Sequence, residues 1–151
     1  MKRDETIARL MGAVALALIL GALGFQYLAH LAPCEMCHWQ RWPHIAAAVI
    51  GLAIVPIWTR DPKMLAILAV LLVAASGLIG AYQAGMQVGW LPGPQACTVA
   101  HPYVMGSGAP APEVSCNVVT WSLFGLSLAA YNAIFSLGAA LVGAALLMRK
   151  S

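Results

Sequence analysis

The most reactive side chains in this sequence are its four cysteines, Cys34, Cys37, Cys97 and Cys116. Two of them lie in the stretch Pro33-Cys34-Glu35-Met36-Cys37-His38-Trp39-Gln40-Arg41. Cysteines at this spacing close into a small, readily exchanged disulfide, and the reacting species is the thiolate. Arg41 follows Cys37 by one helical turn and sits between two segments too apolar for anything but lipid. An ionisable residue in such a place is costly to insert and therefore marks a functional site. A purely structural reading competes. A bridge between Cys97 and Cys116 would close a loop of about 20 residues and constrain the unfolded chain by about 3 kcal/mol. A Cys34–Cys37 loop is too short to brace much and is easily reduced. A four-cysteine zinc site would show close ligand spacing twice, and only Cys34 and Cys37 have it, so no metal is expected.

The elements that position these residues follow from composition and charge. With 151 residues the chain has room for one domain, expected over 1–151. Charged residues make up 9% and hydrophobic ones 62%, against about 25% and 45–50% in soluble domains. So little charge cannot cover a soluble surface, and a net charge of +3 is too small to suggest nucleic acid. Apolar runs long enough to cross a bilayer predict spans over about 10–31, 42–59, 64–83 and 121–148. The expected fold is an all-α membrane protein, a four-transmembrane-helix bundle with a long Pro/Gly-rich periplasmic loop. That loop, residues 84–120, is interrupted by Pro92, Pro94, Pro102, Pro110 and Pro112. Lys2, Arg3, Arg9, Arg60, Lys63, Arg149 and Lys150 all fall on the side of the termini, and only Arg41 falls opposite. The positive-inside rule makes the terminal side cytoplasmic and puts all the cysteines in the compartment where disulfides persist. Trp39, Trp42, Trp90 and Trp121 then gather at the outer interface, where amphipathic rings are favoured. The N-terminal run exceeds the usual signal-peptide core, and Pro33 stands where a small residue is wanted, so a retained helix is expected.

Helical spacing links these residues to chemistry. If the second span begins near Cys37, Arg41 lies one turn below it and Cys34 projects over the same face. A helix N-terminus and a guanidinium both favour thiolate over thiol. Arg41 also supplies donors for an oxygen that becomes negative as an acceptor is reduced. Pro43 fits best in a first turn, which would instead start the helix near Trp42. Thiols held at a lipid boundary call for a lipid-dissolved acceptor, and a quinone (ubiquinone or menaquinone) fits. His44, inside the span, is a candidate for lining the quinone pocket. His38 and Glu35 read as interfacial and solvated. Gly77, Gly80, Gly125, Gly138 and Gly143 are expected to permit close helix packing.

Pro33-Cys34-x-x-Cys37-x-x-Gln40-Arg41 at the head of a second span, a later cysteine pair, and Gly125-Leu126-Ser127 early in a fourth span belong together. The combination resembles the disulfide bond formation protein B (DsbB) family of bacterial inner membranes and covers nearly the whole chain. That family takes part in the relay known to keep the bacterial periplasm oxidising. The resemblance implies a quinone-dependent protein-thiol oxidoreductase whose partner is a DsbA-like, thioredoxin-fold periplasmic thiol oxidant. By the same resemblance Cys97 is attacked by the reduced partner, Cys116 passes the electrons on by attacking Cys34, and Cys37 faces the quinone beside Arg41. A proline-rich connection suits a Cys116 that must travel between Cys97 and Cys34. The prolines between Cys97 and Cys116 argue against a long loop helix, while Val99, Tyr103, Val104 and Met105 are candidates for resting on the membrane surface. Asn117 follows Cys116 where an acid is expected in close relatives. A vitamin K epoxide reductase-like protein would favour five spans or a fused thioredoxin domain, and neither is visible. The contrasting class is a non-catalytic four-span protein whose disulfides brace its outer loops.

Overall fold

A computed structural model of the chain describes residues 3–58, 60–98 and 114–149. Four helices in it are long and apolar enough to cross a membrane. They are α1 (Arg3–Tyr27), α2 (Glu35–Ile57), α3 (Pro62–Gln87) and, last in the chain, α5 (Leu128–Met148). A short helix α4 (Gln95–Thr98) and a hairpin of β1 (Ser122–Leu123) and β2 (Leu126–Ser127) lie between α3 and α5. The architecture is a four-helix membrane bundle and the protein crosses the bilayer several times. The candidates for a surface-resting loop, Val99, Tyr103, Val104 and Met105, lie outside the described residues.

α1 begins at Arg3 rather than near residue 10, taking the charged leader into the helix, and two later helix starts differ from the sequence expectation for local reasons. α2 begins at Glu35 rather than near Trp42, because Cys34 acts as its N-cap: its sulfur accepts the Cys37 amide at 3.2 Å. Glu35 in the first turn suits the positive helix end. Pro43 is therefore interior to the helix, at the loss of one backbone hydrogen bond. Further along, α2 widens into π turns over Val49–Ile54, directly before Pro56. A proline ring excludes the carbonyl four residues back, and a π turn accommodates it.

The last span begins at Leu128 rather than 121. Phe124 and Gly125 both have positive φ, 50° and 77°, as a two-residue hairpin loop with right-handed strand twist requires. Ser122 therefore pairs with Ser127 and Leu123 with Leu126. Ser127 then caps α5, accepting the Ala130 amide at 3.2 Å. The segment Gly125-Leu126-Ser127 is thus a turn and a cap, not the first turn of a span.

α3 is the central helix, packed against α1, α2 and α5. Small residues set the approach. A Cβ on Gly77 would stand 2.8 Å from Leu137 Cγ, one on Gly80 2.9 Å from the Ala129 carbonyl, and one on Gly143 2.8 Å from Val70 Cγ2. Gly138 and Gly125 meet nothing within 4 Å, so neither serves close packing. The tightest crossing lies at a span glycine not individually singled out: on Gly51 a Cβ would strike the Ala8 carbonyl and the backbone of Gly12.

Candidate redox site

Both cysteine pairs are disulfides and both stand at one end of the bundle. Cys34 and Cys37 are bridged with Cα atoms 5.0 Å apart, and Cys97 and Cys116 with Cα atoms 5.4 Å apart. The second pair is also tied through the backbone, the Cys116 amide donating to the Cys97 carbonyl at 2.8 Å. Cys34, Met36, Met86, Cys97 and Cys116 form one buried cluster, with Cys37 and Ile79 half-buried against it. The bundle thus seats the two disulfides side by side.

Gln83, 2% exposed near the end of α3, joins them. Its Nε2 lies 3.1 Å from Cys34 Sγ, 3.9 Å from Cys37 Sγ and 3.4 Å from the Cys116 carbonyl. Its Oε1 accepts from Gln40 Nε2 at 2.6 Å, and Gln40 Oε1 accepts from Asn132 Nδ2 at 2.8 Å. Asn132 Oδ1 accepts from Ser136 Oγ at 3.0 Å, and Ser136 Oγ lies 3.1 Å from His44 Nε2. On its other nitrogen His44 meets Ser76 Oγ at 2.7 Å and the Gln40 carbonyl at 3.0 Å. A continuous polar chain therefore runs from the sulfurs to an imidazole in the bundle centre, joining α2, α3 and α5. Buried polar groups in an apolar setting are stable only when partnered in this way.

Beside Cys37 and Gln83 lies a cavity of about 340 Å³, lined mainly by apolar side chains of α1, α2, α5 and the hairpin. Cys37, Arg41 and His44 all face it. Exposed residues such as Ala17, Gly21 and Leu123 form part of its wall, so it opens at the outer surface of the bundle. One wall is aromatic: Phe25 and Trp121 have ring centres 4.8 Å apart, and Tyr131 continues the row to Phe135 at 6.3 Å. Arg41 donates from Nη1 to Gln26 Oε1 at 2.7 Å, whereas its Nε is buried with no hydrogen-bond partner. A buried guanidinium with an unspent donor, facing an apolar cleft, is arranged to meet an anionic or strongly accepting oxygen.

The four cysteines singled out in the sequence thus come together in one cluster, and Cys37, Arg41 and His44 share one cavity. Glu35 and His38 do not line it. Gln83, Asn132, Ser76 and Ser136 carry no expectation from the sequence, and Gln40 enters there only as part of the motif. Their signal was present, since each is a polar residue within an apolar span. No curated protein and no solved structure matches the chain. The family model for disulfide bond formation protein DsbB matches residues 4–146. With that match over a four-span bundle carrying two adjacent disulfides, the chain belongs to the DsbB family of disulfide-generating oxidoreductases.

Proposed function

We propose that the protein draws two electrons from the dithiol of a periplasmic, DsbA-like thioredoxin-fold partner and passes them to membrane quinone, ubiquinone or menaquinone. The route runs through Cys97 and Cys116, then Cys34 and Cys37. The observation that carries this reading is that Cys37, packed against the buried cluster that holds both disulfides, shares an apolar cavity with Arg41.

The cavity residues suit a quinone head group. A volume of about 340 Å³ falls in the usual range of small-molecule sites, about 300–1,000 Å³. Phe25, Trp121, Tyr131 and Phe135 offer flat apolar contact, and Arg41 Nε offers a donor with no other use. A bound quinone would supply a lipid-soluble acceptor of two electrons and two protons. The chain's own residues do the rest. A partner thiolate attacks Cys97 Sγ, and Cys116 leaves as a thiolate. Cys116 then attacks Cys34 Sγ, and Cys37 leaves as a thiolate facing the cavity. In each exchange a leaving sulfur of lower pKa departs faster. Arg41 holds positive charge where an acceptor oxygen gains negative charge. His44, hydrogen-bonded on both ring nitrogens, ends the polar chain from the sulfurs in the cavity wall. By the distribution of basic residues, the cysteine end is periplasmic and both termini are cytoplasmic, in a bacterial inner membrane.

The bracing reading has one observation in its favour, since Cys97 and Cys116 are only 3% and 1% exposed. Quinone reduction driven by a reduced thioredoxin-fold partner separates the two. Arg41→Ala is expected to slow it by about a hundredfold, the usual cost of losing a donor at a developing oxyanion. Cys116→Ser, which leaves no Cys97–Cys116 disulfide for the reduced partner to attack, is expected to stop turnover, its lone Cys97 thiol capturing the partner only when the partner is supplied oxidised. Normal turnover by Cys116→Ser would overturn the relay. Two disulfides that resist mild reductant and ignore added quinone would establish bracing instead.

A further inference from the structure

We infer that Gln83 is a catalytic hydrogen-bond donor for the exchange between the two disulfides, tying the backbone of Cys116 beside Cys34 and taking up the charge that arrives on Cys37. The inference rests on the order of exchange proposed above. In that step the Cys116 thiolate forms a bond to Cys34 Sγ and the Cys34–Cys37 bond breaks. The electron pair leaves on Cys37 Sγ, and no proton moves.

One carboxamide nitrogen reaches all three participants, at 3.1 Å from Cys34 Sγ, 3.4 Å from the Cys116 carbonyl and 3.9 Å from Cys37 Sγ. It carries two N–H donors for these three acceptors. The sulfurs of a disulfide accept hydrogen bonds weakly, whereas a thiolate accepts a charge-assisted bond roughly twice as strong as a neutral one. The donor therefore favours the state in which Cys37 has left over the state in which it is bridged. Gln83 is buried, so no water stands ready to replace it.

Its orientation is imposed from outside. Gln40 donates to its oxygen at 2.6 Å, and Asn132 in turn fixes Gln40 by donating to its oxygen at 2.8 Å. Turning the Gln83 amide over would set its oxygen against the sulfurs and face two N–H groups toward each other. Gln40 is in this sense a positioning residue, acting on the sulfurs only through Gln83. A neutral donor also serves both redox states, because it adds no fixed charge when the pair is oxidised.

The test uses the full chain with its four cysteines, free of quinone and equilibrated with dithiol–disulfide buffers, the Cys34–Cys37 pair being read by alkylation and peptide mapping. Gln83→Met is expected to shift the dithiol-to-disulfide ratio of this pair about tenfold toward disulfide, a potential about 30 mV lower for a two-electron couple. Gln40→Met, which keeps the donor but frees it to turn, is expected to shift the ratio in the same direction. An unchanged ratio in Gln83→Met, or a shift toward dithiol in either variant, would overturn the proposal. A readout on the unaltered chain guards against misfolded variants. On reduction of the Cys34–Cys37 pair, the Gln83 side-chain N–H resonance should move downfield, and a stationary resonance would count against the role. Neither readout depends on the partner or on quinone, so a failure of this role and a failure of the relay are told apart.

Discussion

At the scale of single residues, Arg41 makes the sharpest statement. Its Nη1 is held by Gln26 Oε1 at 2.7 Å, while Nε is left for a ligand. Gln26, itself on the cavity wall, is then a clamp on the guanidinium. Gln26→Leu should loosen the clamp without removing the charge, raising KM for quinone by about tenfold, in keeping with loss of one hydrogen bond to a charged group. Its kcat should change little, in contrast to Arg41→Ala, and steady-state kinetics over a quinone series would show the split. The sequence disclosed Arg41 because a guanidinium between two apolar runs has a cost that needs a reason. It did not disclose Gln26, because a glutamine near a helix end reads equally well as an interfacial residue. Gln83, Asn132, Ser76 and Ser136 were hidden for a related reason: each is unremarkable alone, and only the packing of α2, α3 and α5 makes them consecutive links.

At the scale of elements, the helix that carries the chemistry was legible in kind but not in its start. Pro43 argued for a first turn near Trp42, yet the sulfur of Cys34 supplies a cap that a local rule for proline does not weigh. The hairpin at Ser122–Ser127 escaped notice because its apolar residues continue the hydropathy of the following span; only the positive φ of Phe124 and Gly125 sets it apart. Glycines were legible as a class and not individually. Gly51→Ala would drive a methyl group into the Ala8 carbonyl and the Gly12 backbone, where neither neighbour can yield. It should cost about 1–3 kcal/mol, the range for overpacking a close-packed core, and lower the midpoint of thermal unfolding in detergent. Gly138→Ala meets open space and should leave the midpoint unchanged or slightly raised, since alanine favours a helix. A variant pair that melted together would show that the α1–α2 crossing is looser than its backbone contacts require.

At the scale of the whole molecule, the fold sets the basic residues, Arg41 excepted, at the end away from the sulfurs. Arg3, Arg9, Arg60, Lys63 and Arg149 belong to the ends of α1, α2, α3 and α5 that point away from the cysteines. The disulfides, the hairpin and Trp90, Trp121 and Trp39 occupy the other end. An even number of spans returns both termini to one side, so a single orientation decides where every thiol works. The proposed chemistry requires the cysteines outward, because a reducing cytosol would hold the pairs as dithiols, and the positive-inside rule supports that proposal. Two exposed sites at opposite ends can decide it, Asp61 in the α2–α3 turn and Val118 ahead of the hairpin. In a chain whose native cysteines are replaced by serine, Val118→Cys should react with a membrane-impermeant thiol reagent in cells whose inner membrane is intact. Asp61→Cys should react only after that membrane is opened. The reverse pattern would place the sulfurs among cytosolic reductants, where a pair poised to be oxidised by a lipid acceptor would be short-circuited before any partner reached it.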